Sequence, residues 1–167
     1  MELLKVNGRF DGKKIAVGIL VPVIGGAITG WLANRNAQEK YDKLKKPSYS
    51  PPPSVFPIAW TTLYTMMGTA KYRVGMRQET GNKEKPAIPL YELQLGMNYL
   101  WSFLYFRWGL RGTALIEMTV LLSTIALTTY EFYQVDRTAG TLMIPYLGWV
   151  LFALCLNYHT WKLNDRK

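Results

Sequence analysis

Charged residues are unevenly placed along this chain, and they leave long apolar stretches free of charge. Three uncharged stretches, each at least 20 residues long, are residues 15–34, 47–70 and 138–161. Two further apolar segments, residues 86–106 and 112–130, contain one acid each, Glu92 and Glu117. Because about 20 mostly apolar residues in a helix span a bilayer core, the pattern predicts five transmembrane helices.

We expect the five helices at residues 14–33, 53–72, 88–106, 112–130 and 138–162. This divides the chain into a basic N-terminal tail (1–13), a transmembrane domain (14–162) and a C-terminal tail (163–167). The alternative is a soluble bundle, which would need a polar stripe along each helix. The first and last uncharged stretches have no charged stripe. The predicted fold is therefore all-α, an integral membrane bundle of five helices.

Composition excludes several classes of function. The single Cys155 and single His159 cannot build a disulfide framework or a Cys/His zinc site, so we expect no metal site. A His-based nucleophilic triad would depend on His159 alone, and we predict no catalytic residue. The net charge of +9 suits contact with anionic lipid headgroups. No nucleic-acid motif accompanies that charge, so nucleic acid is not an expected partner.

Polar and aromatic residues recur at helical spacing inside three of the predicted spans. The third span carries Gln94, Asn98, Trp101 and Tyr105, the fifth carries Pro145, Trp149, Ala153 and Asn157, and the second carries Trp60, Tyr64 and Met67. Turned inward, these faces would line a cavity for a planar apolar ligand. Ordinary helix packing with amides bonded across helices explains the same spacing, and the pattern alone leaves both readings open.

Two local patterns carry weaker hypotheses. For Glu117 we favour an ion pair with Arg107 or Arg111, or a hydrogen-bonded carboxyl, over a proton or ligand role. Leu154, Tyr158 and Lys162 fit a short pattern proposed for cholesterol contact, which many unrelated helices also match.

Several strings, in this order, resemble the translocator protein family, also called the peripheral-type benzodiazepine receptor or tryptophan-rich sensory protein family. They are YDKLKKPSYSPPP from Tyr41, VFPIAWTTLY from Val55, QLGMNYLWSFLYF from Gln94 and PYLGWVLFALCLNYHTW from Pro145. The resemblance covers residues 40–162. It implies a five-helix membrane receptor and transporter, often a homodimer, that binds cholesterol, porphyrins such as protoporphyrin IX and haem, and synthetic drug-like ligands. Porphyrin and haem would be ligands rather than cofactors.

The resemblance also implies where those ligands bind. The family's cavity corresponds to Asn98, Trp101, Trp149, Ala153 and Leu156, to which the spacing adds Trp60. The family's loop motif KPxWxPP, which covers the cavity, corresponds to residues 46–52 and includes Tyr49 and Pro51. The family's sterol motif corresponds to Tyr158, His159 and Lys162, beside Leu154. Animal-like strings favour the mitochondrial outer membrane, whereas bacterial members lie in the cell envelope.

Tyr49 stands where the family usually has tryptophan. The resemblance links that tryptophan and the residue matching Trp149 to light- or oxidant-dependent porphyrin breakdown. The tyrosine ring is smaller and harder to oxidise, which puts this activity in doubt more than porphyrin binding. We therefore predict a non-enzymatic binding and transport protein. A porphyrin-degrading enzyme and a membrane scaffold without ligand transport are the alternatives.

Overall fold

Five α-helices dominate the computed structural model, which describes residues 2–35, 39, 42–80 and 86–164. They are α1 (Gly12–Asn34), α2 (Val55–Thr80), α3 (Ala87–Ser102), α4 (Arg111–Val135) and α5 (Arg137–Asn164). A π-helical turn, Phe103–Arg107, continues α3, and a short 3₁₀ helix, Glu2–Leu4, precedes α1. The described residues contain no β-strand apart from an isolated bridge between Val6 and Arg9. The prediction of an all-helical bundle is confirmed.

The bundle is built to be surrounded by lipid. By length and composition, α1, α4 and α5 are each able to cross a membrane. Their outer faces expose large apolar side chains, among them Val17, Leu20, Ile24, Ile28, Ile116, Val120, Leu127, Ile144 and Leu151. Water would disfavour such a continuous apolar surface, whereas lipid solvates it. The protein is an integral membrane protein.

The five helices form a closed ring rather than following chain order around it. Helix α1 packs on α2, α2 on α5, α5 on α4, α4 on α3, and α3 returns to α1. Large buried side chains fill the centre, including Tyr91, Phe132 and Tyr146. The Tyr91 and Phe132 rings stack with centroids 5.8 Å apart, which joins α3 to α4.

Helices α1 and α2 meet at a pair of glycines. A β-carbon on Gly68 would lie 2.2 Å from the carbonyl oxygen of Gly18, so no larger residue fits there without moving a backbone. Pro22, four residues after Gly18, has no N–H to donate to that carbonyl. The backbone of α2 therefore covers a carbonyl that α1 itself leaves without a helical donor. Small residues at such contacts are the usual means by which membrane helices pack closely.

A buried carboxylate joins α2 to the turn between α4 and α5. The Asp136 side chain, 2% exposed, accepts hydrogen bonds from Arg73 at 2.9 and 3.0 Å and from Arg77 Nε at 3.1 Å. Its Oδ1 atom also accepts from the backbone N–H of Ala139 at 2.9 Å. Burial opposes ionisation, but the Arg73, Ala139 and Arg77 hydrogen bonds outweigh it and hold the Asp136 pKa below its usual value.

The segment that precedes α1 is packed against the bundle. Val6 is 2% exposed and lies in a cluster with Ile15, Tyr72 and Met76. The Tyr72 hydroxyl donates to the carbonyl of Leu4 at 3.1 Å and accepts from the N–H of Asp11 at 3.0 Å. Arg73, besides holding Asp136, donates to the carbonyl of Leu3. Helix α2 continues to Thr80, beyond the predicted end at residue 72. Its charged residues Arg73 and Arg77 have hydrogen-bond partners there, which explains the longer helix.

Replacing Gly68 by alanine should destabilise the bundle by about 1–3 kcal/mol, because the new methyl group overlaps the Gly18 carbonyl. The thermal unfolding midpoint in detergent measures this. Gly75→Ala is the matched control on the same helix, since a β-carbon there meets nothing within 4 Å. Equal midpoints for the two variants would contradict the close contact.

Replacing Asp136 by asparagine should cost about 3–5 kcal/mol at neutral pH, because it breaks a buried ion pair. Since the folded pKa of Asp136 is lowered, its stabilisation is fully present above the ordinary value of 3.8 and is lost as the pH falls through the lowered value. The difference between the thermal unfolding midpoints of the wild type and Asp136→Asn should therefore become smaller only below about pH 4. A constant gap from neutral to acid pH would show that ionised Asp136 is not the stabilising form.

Candidate functional site

A cavity of about 490 Å³ lies between α1, α2, α3 and α5, in the half of the bundle near the end of α1. Helices α2, α3 and α5 contribute several rings to its wall, and α1 contributes the Trp31 ring and the small residues Gly26, Ala27 and Gly30. The lining comprises Val23, Gly26, Ala27, Gly30, Trp31, Asn34, Pro53, Phe56, Pro57, Trp60, Thr61, Tyr64, Trp101, Ser102, Phe106, Trp149 and Ala153. Four of the predicted site residues, Trp60, Trp101, Trp149 and Ala153, are among them.

The rings of the cavity wall support one another. Trp60 stacks on Tyr64 with centroids 5.3 Å apart and an interplanar angle of 29°. Trp149 meets Trp60 edge to face at 6.5 Å and Phe56 at 6.1 Å. Ring contacts of this kind limit side-chain rotation and leave flat faces for a ligand to stack on. The wall is therefore suited to a planar, mostly apolar molecule.

Helix α1 makes room for these rings, and sequence reasoning missed its contribution. The Tyr64 ring occupies the place of a side chain on Gly26, since a β-carbon there would lie 2.2 Å from Tyr64 Cε2. Gly30 lies one turn further along and faces open space. The spacing of Gly26 and Gly30 by four residues could have predicted this contribution, because it places two positions without side chains on one face of α1.

Predicted residue Asn98 lies behind the wall rather than in it. Asn98 is 3% exposed, and its Oδ1 atom accepts a hydrogen bond of 2.7 Å from the hydroxyl of Tyr64, which does line the cavity. One turn earlier on α3, the buried Gln94 accepts a 2.8 Å bond from Tyr146. The amides of α3 therefore hold the rings of α2 and α5 in place.

The loop between α1 and α2 is fastened to α5 at two points. The backbone N–H of Lys45 donates to Asn164 Oδ1 at 3.0 Å, and Asn164 Nδ2 donates back to the Lys45 carbonyl at 2.9 Å. Further along, the Tyr49 hydroxyl lies 2.8 Å from His159 Nδ1, and its ring packs edge to face on Phe152 at 6.1 Å. These contacts place Tyr49 on the flank of α5. Pro51, partly buried, lies in the same loop.

Within the described chain, Tyr49, Pro51, Asn98 and Leu156 are not part of the cavity lining. Leu156 is partly buried on α5, one turn beyond Ala153. Among the predicted sterol-contact residues, Leu154 packs against the core, Tyr158 is 41% exposed, and His159 and Lys162 are exposed. Tyr158 contacts the rings of His159 and Trp161. The binding roles of these residues stay predictions.

The two acids inside the apolar segments have different surroundings. Glu92 forms an ion pair with Lys71 of α2. Glu117 makes no ion pair among the described residues: both of its oxygens are shielded and have no hydrogen-bond partner. Arg107 donates instead to the carbonyl of Leu32 at 3.3 Å, and Arg111 Nε has no partner in the described part of the chain. The described residues therefore supply neither the expected ion pair of Glu117 with Arg107 or Arg111 nor a hydrogen bond to its carboxyl, and that prediction is wrong.

Fold and cavity together define an integral membrane bundle of five helices around an aromatic-walled interior. The model of the TspO/MBR family matches residues 18–162. A tryptophan-rich sensory protein of Cereibacter sphaeroides is 40% identical over 75% of this chain and 77% of its own length. Translocator proteins of Sus scrofa and Homo sapiens are 37% and 35% identical, over 90% and 87% of this chain and 90% and 86% of their own lengths.

The chain belongs to the TspO/MBR family. The resemblance inferred from the sequence strings is therefore confirmed. Membership supports a membrane receptor or transporter role, and these relatives are named as translocator and sensory proteins rather than as enzymes.

Replacing Asn164 by alanine should release the loop from the end of α5, since it removes both hydrogen bonds to Lys45. Losing two hydrogen bonds of about 1 kcal/mol each should raise the rate of tryptic cleavage after Lys43 and Lys45 about tenfold or more. Asn164→Asp, which keeps the acceptor and loses the donor, should give an intermediate rate. Unchanged cleavage in Asn164→Ala would show that other contacts hold the loop.

Proposed function

We propose that this protein is a membrane receptor and transporter that binds cholesterol and porphyrins, including protoporphyrin IX and haem, and contributes to sterol and tetrapyrrole transport. The observation that carries the proposal is the aromatic-walled cavity between α1, α2, α3 and α5. Family membership supports the receptor or transporter class. The choice of ligand rests on the chemistry of the cavity wall and on the family resemblance.

The size and surface of the cavity support a flat ligand of this kind. Its volume of about 490 Å³ falls within the usual range of small-molecule sites. Trp60, Trp101 and Trp149 offer ring faces from three different helices. Thr61, Ser102 and Asn34 add a few polar groups, which suits a ligand with an apolar body and few polar substituents.

A second, outer contact region for sterol is proposed on α5. Leu154, Tyr158 and Lys162 follow one another at intervals of four residues and so share one side of the helix. The exposed Tyr158 and Lys162 provide a ring and a cation near the end of the span, where a sterol hydroxyl would meet the headgroup layer. His159 lies beside them and is held through Tyr49.

The proposal includes three properties of the whole protein. It acts as a non-enzymatic carrier, it forms a homodimer, and its membrane is the mitochondrial outer membrane if the source is eukaryotic or the cell envelope if it is bacterial. The chain is similar both to translocator proteins of Sus scrofa and Homo sapiens and to a tryptophan-rich sensory protein of Cereibacter sphaeroides, so in this proposal the membrane depends on the source organism.

Trp149→Ala should weaken protoporphyrin IX binding about tenfold or more, because it removes the ring that contacts both Trp60 and Phe56. Quenching of tryptophan fluorescence in detergent, titrated in the dark, measures the affinity. Trp108→Ala is the matched control, since Trp108 is 54% exposed and does not line the cavity. Equal loss in both variants would count against the cavity as the binding site.

Two further outcomes of the same titration separate the alternatives. If illumination consumed the porphyrin absorbance only when protein is present, the porphyrin-degrading enzyme would replace the carrier. If neither protoporphyrin IX nor cholesterol bound saturably, a scaffold without ligand transport would be the surviving explanation.

A further inference from the structure

Three side chains on three neighbouring helices have shielded polar atoms with no hydrogen-bond partner among the described residues. They are Trp101 on α3, through Nε1; Glu117 on α4, through both carboxyl oxygens; and Asn157 on α5, through both amide atoms. Asn157 is only 2% exposed. Inside a membrane, where water does not reach such groups freely, polar atoms of this kind are normally satisfied. Their unused bonding capacity therefore points to a further occupant.

The contacts between helices place Glu117 and Asn157 at the same depth. Helices α4 and α5 run antiparallel, and Gly112 of α4 lies against the ring of Trp161 of α5. At the other end of the same pair, Gly140 lies against Tyr133. Counting five residues inward from the Gly112–Trp161 contact on each helix brings Glu117 opposite Leu156, the neighbour of Asn157.

Trp101 reaches the same depth from α3. It packs against the buried cluster of Leu104, Tyr105 and Ala114, and Ala114 lies one turn before Glu117 on α4. The Trp101 ring lines the cavity together with Ala153, which lies one turn before Asn157 on α5. Because its Nε1 atom is nevertheless shielded, the indole N–H is directed away from the open cavity. Trp101 therefore contacts both the cavity and the start of α4, near the depth of Glu117 and Asn157.

We propose that Trp101, Glu117 and Asn157 form a hydroxyl-binding subsite behind the cavity wall, which rests on the proposed ligand-binding function. Trp101 and the Asn157 amide supply N–H donors, and the Asn157 carbonyl and Glu117 supply acceptors. A hydroxyl oxygen accepts from Trp101 Nε1 and Asn157 Nδ2 and donates its one hydrogen to Glu117, so it gives each of the three residues one partner. The N–H donors disfavour a cation, and the carboxyl oxygens disfavour an anion. Water supplies the hydroxyl in the empty protein, and the hydroxyl of a cavity ligand replaces it when the Trp101 ring turns aside.

A matched pair of sterols tests the ligand as the source of the hydroxyl. Cholesterol should bind wild-type protein about tenfold more tightly than cholest-5-ene, which lacks the 3-hydroxyl, because only the cholesterol hydroxyl can hydrogen-bond to Trp101, Glu117 and Asn157. Asn157→Leu and Glu117→Leu should reduce that preference to about twofold or less. Glu117→Gln should retain the preference, since an amide also bonds a hydroxyl.

Thr160→Val is the matched control on α5. Thr160 is also 2% exposed, but its hydroxyl already donates to the carbonyl of Leu156 at 2.8 Å. This variant should keep the full preference for cholesterol. A loss of preference as large as that of Asn157→Leu would show that the effect is a general disturbance of α5, and would overturn the subsite.

Thermal unfolding without ligand tests water as the source. If water occupies the subsite, Asn157→Leu and Glu117→Leu should lower the unfolding midpoint, because each leaves the water and the remaining groups short of partners. If the unfolding midpoint falls but wild-type protein does not prefer cholesterol, the subsite binds water, and the ligand is overturned as a source of the hydroxyl. A raised midpoint with no sterol preference would show an empty pocket and overturn the proposal.

These measurements also separate failure of the subsite from failure of the proposed function. If neither sterol binds while protoporphyrin IX still quenches tryptophan fluorescence, the sterol role fails and the unfolding midpoints alone decide the subsite. If both sterols bind equally and Asn157→Leu raises the midpoint, the receptor role survives and the subsite is overturned.

Discussion

The close approach of α1 to α2 at Gly18 and Gly68 is the contact on which the interior of this protein depends. Lipid offers no hydrophobic drive for helices to associate, so backbone proximity and shape must provide the attraction. Where the two helices touch, glycines remove the side chains. Further along α1, Gly26 admits the Tyr64 ring and Gly30 leaves open space. One small-residue face of α1 therefore both seals the bundle and makes room for a cavity.

Polar contacts hold the two ends of the bundle in different ways. At one end, the carboxylate of Asp136 gathers Arg73 and Arg77 of α2 and caps the start of α5. The same Arg73 donates to the carbonyl of Leu3, so it joins the segment before α1, α2 and the turn between α4 and α5. At the other end, the loop after α1 is attached to α5 by side-chain hydrogen bonds that lie near the surface. The cavity lies closer to the second, less buried end.

Uncharged runs and helical spacing were enough to predict five helices and the inward placement of Trp60, Trp101, Trp149 and Ala153. Both signals are local, because the length of a span and the side of a helix depend only on nearby residues. The contribution of α1, the position of Asn98 behind Tyr64 and the attachment of Tyr49 to His159 depend on which helices become neighbours, and the ring order α1–α2–α5–α4–α3 is not a local property. Glu117 shows the same limit, since proximity along the chain suggested an arginine partner that the packing does not supply.

The bond between Lys45 and Asn164 joins residues 119 positions apart. Asn164 is the last residue of the last helix, so every other span is synthesised before this contact can form. During synthesis at the membrane, α1 to α4 are therefore made first, and the loop after α1 can be fastened only once the whole of α5 has been made. The order in which the chain is made thus leaves the fastening of this loop until all five helices exist.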